Sequence, residues 1–259
     1  MTKVGTKQEL LLILGSNGNL GSALISMNSK FHKKFQRTYC FDVKHENCPL
    51  DQDGSVEYIV ADVVRSSYLA KLQLDPSSYK LTILNLVAKD YPVTSSGLAQ
   101  NFSSPFCLGI SDYLSSIAVT SGSSYNLLHQ IDQLGFQDSS VWLVGSIYNR
   151  ILPDPILYSD DRSIYKPIAY SSGKYAQLPL RDQAAVYFAP FGGRCNSLSF
   201  GGIQTNQQQS FVDKYVSICP SGQLVSMDEV VSTIMWALLD SPQSMNGADI
   251  LIDGAFHLK

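Results

Sequence analysis

A run of seven residues near the N-terminus, Gly15-Ser-Asn-Gly18-Asn-Leu-Gly21, constrains this chain more than any other feature. The apolar stretch Glu9 to Leu14 precedes it and the helix-patterned stretch Ser22 to Phe31 follows, so the glycines fall at a strand-to-helix turn. One glycine permits a tight turn, a second lets backbone N–H groups approach an anion, and a third lets the helix pack closely on the strand. The helix start adds unpaired amides and partial positive charge. Alone, the spacing fits an ordinary glycine-rich turn equally well.

A second signal breaks that tie. Asp42 ends the next predicted strand, about 20 residues past the loop, where a dinucleotide-binding unit carries the acid that holds the adenosine ribose. A carboxylate there accepts from both ribose hydroxyls and repels a 2′-phosphate, so NAD is expected over NADP. Lys44 nearby pulls the other way. The loop contributes Gly15, Asn17, Gly18, Asn19, Leu20 and Gly21 as candidate cofactor contacts.

Short β-branched or leucine-rich runs then alternate with helical periods. Strands are predicted at 38–43, 57–63, 81–88, 139–146, 193–202 and 248–255, and helices at 66–74, 109–135, 169–189 and 227–239. This is the pattern of an α/β fold: a Rossmann-like, doubly wound parallel sheet of about seven strands with helices on both faces. The 259 residues read as one domain, 1–259, without repeats or low-complexity tracts. Segments 149–168 and 204–225 are poorly patterned for core elements and are expected to be loops beside the substrate.

Composition narrows the class. Charged residues are 16% of the chain and the net charge is −3, without a basic block beyond His32-Lys33-Lys34, so nucleic acid is not an expected partner. No stretch is apolar for long enough to span a bilayer. Five scattered cysteines, Cys40, Cys48, Cys107, Cys195 and Cys219, are expected to be reduced thiols in a cytoplasmic protein. His32, His45, His129 and His257 stand apart from carboxylates and cysteines at ligand spacing, so no metal site is expected.

Tyr170-Ser-Ser-Gly-Lys174 opens the 169–189 helix, where an offset of four sets both side chains on one face. A phenol ordinarily ionises too high for base chemistry at neutral pH, and a neighbouring ammonium favours the phenolate. Ser146 closes the preceding strand, where its hydroxyl can hold a substrate oxygen beside Tyr170. Ser146, Tyr170 and Lys174 are the candidate catalytic residues, with Tyr170 and Lys174 also near the cofactor.

With these features in order, the sequence resembles the short-chain dehydrogenase/reductase family over essentially its whole length. The resemblance implies an NAD-dependent oxidoreductase moving hydride between nicotinamide and a CH–OH or C=O carbon. It implies that Asp62 and Val63 meet the adenine and that Asn85 matches the first asparagine of the family's N-N-A-G segment beside the adenine ribose. In Phe200-Gly201-Gly202-Ile203-Gln204-Thr205, Gly201, Ile203 and Thr205 correspond to the family's nicotinamide turn, and Ile252-Asp253-Gly254 resembles its closing V-D-G-G. It further implies a homodimer or homotetramer built on the long helices flanking Ser146. The sequence departs from the pattern in glycine spacing, in Leu86 and Phe200, and in lacking an asparagine between Asn101 and Asn126 to anchor a water-linked relay to the lysine. Ser115, Ser116 and Thr120 are the candidate substitutes, with a backbone carbonyl and water as the alternative.

For the substrate, Asp154, Asp160, Asp161, Arg162 and the tyrosines Tyr148, Tyr158 and Tyr165 suit a polyhydroxylated ligand. Several short stretches are similar to oxidoreductases of bacterial surface-polysaccharide and nonulosonic acid biosynthesis, so a sugar is expected. Two other readings stay open: an NAD(H)-binding sensor or scaffold with weakened catalysis, and an epimerase or dehydratase holding NAD tightly.

Overall fold

The structure, a computed structural model, describes residues 7–26, 31, 34–46, 54–91 and 102–259; His32, Lys33, Cys48 and Asn101 lie outside them. Seven strands form one sheet: β1 (Gln8–Leu14), β2 (Arg37–Asp42), β3 (Val56–Val60), β4 (Tyr79–Asn85), β5 (Ser140–Val144), β6 (Arg194–Phe200) and β7 (Asp249–Ile252). Their order is β3-β2-β1-β4-β5-β6-β7 and every neighbouring pair runs parallel. Chain order reverses between β1 and β4, the switch point where open α/β sheets leave a crevice beyond the strand ends.

Both faces of the central strands are apolar, which is why β1 reads as an unbroken Leu-Leu-Leu-Ile-Leu run rather than an alternation. Leu10, Leu12 and Leu14 join a core with Leu127 and Ile131 of α2 (Ile110–Gln133) and Ala184, Ala185 and Phe188 of α4 (Gln177–Phe188). Leu11 and Ile13 face the other way, toward Leu24 and Ile25 of α1 (Asn19–Ile25) and Val230, Val231 and Ile234 of α6 (Met227–Leu239). A reciprocal capping box between Ser226 and Glu229 starts α6.

Three expected elements come out differently. The 66–74 helix is only a single 3-10 turn, Ala70–Leu72, because Tyr68 and Leu69 are pulled into the core and Asp75-Pro76 forces a turn. The 169–189 helix divides into α3 (Ile168–Tyr175) and α4, since Pro179 lacks the N–H that would continue the ladder. Segment 204–225 holds a helix, α5 (Gln209–Ile218), whose start in a glutamine run gave no capping signal.

Candidate functional site

The glycine loop sits between two cavities. Gly15 takes φ +80°, left-handed backbone that glycine adopts freely, and its N–H donates to Phe41 O at 2.8 Å across the turn. A Cβ on Gly21 would run into the Ser16 backbone, so close packing of helix on loop requires that glycine. At Gly18 the nearest atom to such a Cβ is Gly15 O at 3.5 Å, leaving a cradle open to a ligand.

The first cavity, about 470 Å³, is lined by Gly15, Gly18, Asp42, Asp62, Val63, Arg65 and Ala88, among others. Asp42 Oδ2 accepts the Asn17 N–H at 2.9 Å, and its Oδ1 accepts the Val43 N–H at 2.7 Å. The carboxylate thus clamps the loop while facing the cavity. Asn17 in turn accepts the Glu46 N–H through Oδ1 at 3.1 Å. Asp62 Oδ1 accepts the Val64 N–H at 2.9 Å, which turns the chain under the cavity floor. Lys44 is ion-paired with Glu46 at 3.0 Å and does not line the cavity.

Asn85 corrects an expectation. It is fully buried, with Nδ2 donating to Ser123 and Ser124 at 3.2 and 3.0 Å and Oδ1 accepting the Val87 N–H at 3.0 Å. Its polar atoms tie β4 to α2, and the side chain lines neither cavity. It holds the strand end behind the cleft, and Leu86, Val87 and Ala88 face the cavity in its place.

The second cavity, about 570 Å³, brings together Asn19, Leu20, Ser146, Tyr170, Gly201, Ile203 and Thr205 with side chains from both long segments. Ser146 caps the turn after β5, accepting the Tyr148 N–H at 3.2 Å, and lines the same cavity as the Tyr170 phenol, whose ionisation it favours. Tyr170 packs edge-on against Tyr148, ring centroids 6.4 Å apart. Burial chiefly raises the phenol's pKa, the Asp90 charge raises it further, and Ser146 opposes both. The resting phenol is therefore protonated, a donor rather than a base.

Lys174 lies beneath this surface, 2% exposed, with Nζ donating to Val144 O at 2.6 Å and standing 5.8 Å from the Tyr170 ring centroid. Burial pushes its ammonium down to about 8, with Asp90 partly opposing. Gly173 explains how the helix comes so close: a Cβ there would stand 2.9 Å from Thr120 Cβ on α2. The three proposed substitutes for the missing asparagine all serve Lys89. Ser115 Oγ accepts from Lys89 Nζ at 3.0 Å, Ser116 Oγ donates to Lys89 O at 3.0 Å, and Thr120 Oγ1 accepts the Lys89 N–H at 3.1 Å.

Both long segments line this cavity, as expected, but through different residues. Tyr148 and Tyr158 line it, their hydroxyls 3.4 Å apart, whereas Tyr165 does not. Burial raises the Tyr148 pKa to about 12 and lifts that of Tyr158 well above its ordinary value. The acidic residues expected to meet substrate are spent on the loop itself: Asp154 caps Ile156, Asp161 caps Ser163, and Asp160 pairs with Lys214 of α5 at 2.9 Å. Arg162 stands 4.0 Å from Asp154, in the same loop. Sequence reasoning missed Asp90, Lys166, Tyr215 and the amides Asn206, Gln207 and Gln208. Tyr215 lies under the Gly201-Gly202 turn, its hydroxyl accepting the Gly202 N–H at 2.9 Å, and a Cβ on either glycine would meet it at 2.8 Å. Gln207 bridges the same turn, accepting the Thr205 N–H at 2.7 Å and donating to Ile203 O.

Among the described residues, no cluster of three or more histidine, cysteine or acidic side chains could hold a metal, and no helix is long and apolar enough to cross a membrane. His257 is not isolated from carboxylates: its Nδ1 lies 2.7 Å from Asp253 Oδ2, four residues earlier.

Comparison with known proteins agrees with the fold. A short-chain dehydrogenase from Leptospira borgpetersenii with bound NAD+ superposes at a TM-score of 0.77 and 22% identity, over 97% of this chain and 93% of that one. A 4-hydroxyisoleucine dehydrogenase complexed with NADH gives 0.73 and 17%, over 97% and 100%. ElxO with NADP bound gives 0.72 and 15%, over 98% and 100%. Curated relatives match shorter stretches. Post-translational flagellin modification protein A of Campylobacter coli is 29% identical over 65 residues, 25% of each chain. The 2-(R)-hydroxypropyl-CoM dehydrogenase of Xanthobacter autotrophicus is 29% identical over 94 residues, 34% of this chain and 38% of that protein. No family model matches the chain.

Proposed function

Starting from a chain with the fold of the short-chain dehydrogenases/reductases, we propose that it is an NAD(P)-dependent oxidoreductase acting on a CH–OH or C=O carbon. The observation that carries this reading is the second cavity. It gathers Ser146, Tyr170 and the Gly201–Thr205 turn at one mouth, with the glycine loop leading from it to the Asp42 cavity. A dinucleotide laid across the loop would be held by Gly15, Gly18, Asp42, Asp62 and Val63 at one end, and by Gly201, Ile203 and Thr205 at the other. When bound, it supplies or accepts the hydride.

The chain's own residues handle the proton and the position of the substrate. Ser146 orients the reacting oxygen, and Tyr170, protonated at rest, donates to it in reduction. Lys174 braces this surface through Val144 O. Asp42 in the adenosine cavity, with Lys44 occupied by Glu46, favours NAD over NADP.

For the substrate, Tyr148, Tyr158, Asn206, Gln207 and Gln208 supply hydroxyl and amide partners around the cavity, which suits a sugar or another polyol. The stretch shared with a flagellin modification protein supports a part in a protein-modification pathway. Exposed Ile110, Leu114 and Tyr125 on α2, with Val186 and Tyr187 on α4, support a homo-oligomer joined on those helices. Calorimetric titration with NADH and with NADPH, then a hydride-transfer screen over neutral sugars and polyols, tests the reading. Preference for NADH with turnover is expected; binding of neither dinucleotide would overturn it.

A further inference from the structure

Two charged residues beside Tyr170 have no part in the scheme above. Lys166 precedes α3 and is nearly buried, its side chain 8% exposed, with Nζ 5.0 Å from the Tyr170 ring centroid. That is nearer than Lys174, at 5.8 Å. Asp90 follows β4, and Lys166 Nζ sits 2.7 and 2.8 Å from its two carboxylate oxygens. Both residues line the cavity that holds the phenol, and the Asp90 side chain remains 45% exposed. The chain thus brings one full positive and one full negative charge, from separate segments, to the cavity that holds a single phenol.

We propose that Asp90 and Lys166 are positioning residues that set the proton affinity of Tyr170: Asp90 holds the Lys166 ammonium and keeps the phenol protonated, while Lys166 offsets Asp90. The proposal deepens the oxidoreductase reading and depends on it for its catalytic meaning. An ammonium over an aromatic face stabilises the ring's electrons, and more so once the ring carries phenolate charge. A carboxylate at the same mouth opposes ionisation, and Asp90 is the foremost charged influence on the phenol, after burial, in the direction of retaining the proton. Ser146 and Tyr148 approach from the turn after β5, Tyr158 from the loop beyond it, and Lys174 from its own helix, where it is directed at Val144 O. Lys89, next to Asp90, is turned to Ser115 and to the Tyr91 ring. In reduction, a phenol held in its acid form has a proton to give, and a substrate hydroxyl that engages the half-exposed carboxylate would shift the balance toward Lys166.

The test needs no substrate. Trifluorotyrosine installed at position 170 ionises at lower pH than tyrosine, and its fluorine resonance reports the titration in the full chain. Asp90→Asn is expected to lower the midpoint and Lys166→Met to raise it, each by about tenfold in the acid dissociation constant, the smaller end of what a charge at this range does. Asp90→Glu and Lys166→Arg, which keep the charges, should stay near wild type, and the double variant Asp90→Asn/Lys166→Met should return toward it. Unmoved midpoints in Asp90→Asn, or shifts of the same sign in Asp90→Asn and Lys166→Met, would overturn the proposal. If Lys166→Met does not fold, Lys166→Gln and Asp90→Asn carry the comparison. A protein that titrates as expected yet binds no dinucleotide would sink the oxidoreductase reading and leave the charge pair standing.

Discussion

The two cavities at the carboxyl ends of the strands are built by opposite means. The one beside β1 and β2 is made mostly of backbone and small aliphatic side chains, with Asp42, Asp62 and Arg65 as its charged residues, at the end of β2 and in the loop after β3. The one over β5 and β6 is made of long polar and aromatic side chains from two extended segments and α5. Backbone geometry suits a group common to many ligands, whereas side chains suit one particular ligand. If this division is real, the two cavities should fail independently.

The largest expected effect breaks them apart directly. Tyr170→Phe removes the phenolic proton without changing the ring's packing on Tyr148. Turnover should fall by about 10³-fold, within the range that general acid–base groups contribute, while NADH affinity stays within about twofold. Steady-state rates and a fluorescence titration on the same preparation measure both. A parallel loss of binding would mean that the cavities are one unit.

Next comes the cost of burying Lys174 beneath the cavity over β5 and β6. Burial lowers Lys174 from its ordinary 10.5 to about 8, so between those pH values the unfolded chain holds a proton that the folded one has released. Stability from this group therefore rises with pH across that window and is unfavourable below about 8. Relative to Lys174→Met, the wild type should gain about 3 kcal/mol over the full window, read by urea unfolding from neutral pH upward. Parallel stability curves would show that the ammonium is not desolvated in the folded protein.

The glycine loop sharpens the contrast at single-atom scale. Gly21→Ala sets a methyl group against the Ser16 backbone and should destabilise the fold by about 2 kcal/mol, seen as a lower Tm. Gly18→Ala meets only Gly15 O at 3.5 Å and should cost about 0.5 kcal/mol as a helix N-cap. Its larger effect should be on dinucleotide affinity, because the added methyl group occupies the open cradle. Equal changes in Tm would remove the distinction between a packing glycine and a ligand glycine.

What could be read from sequence follows the same division. The placement of Gly15, Gly21 and Asp42 at one strand-to-helix turn was legible because backbone constraints impose fixed spacings, and that of Ser146, Tyr170 and Lys174 around one strand end because strand end and helix turn impose theirs. The central strands β1 and β5 were legible because burial on both faces leaves apolar runs. Asn85 sat at the expected strand end, yet spacing cannot tell which way a side chain turns, and Ser123 and Ser124 on α2 claimed it. Asp90 and Lys166 meet across 76 residues, so no local pattern announces them. The acidic loop residues were misread because composition counts charges without showing that Lys214 and local turns neutralise them.

The smallest effect falls on Asp42, and it is the most demanding, because this residue does two things. Its oxygens hold the Asn17 and Val43 amides, and the same carboxylate lines the first cavity. Asp42→Ala would confound a loosened loop with a lost ribose contact. Asp42→Asn keeps an oxygen to accept the Asn17 amide while removing the negative charge. NADH affinity should fall about tenfold, the loss of one charge-assisted hydrogen bond, and NADPH affinity should hold or rise as repulsion of the 2′-phosphate disappears. Titrations of both dinucleotides at two salt concentrations separate the terms, since only the phosphate repulsion is screened. If NADH and NADPH weaken equally, Asp42 acts through the loop alone and the backbone-built cavity does not choose between them.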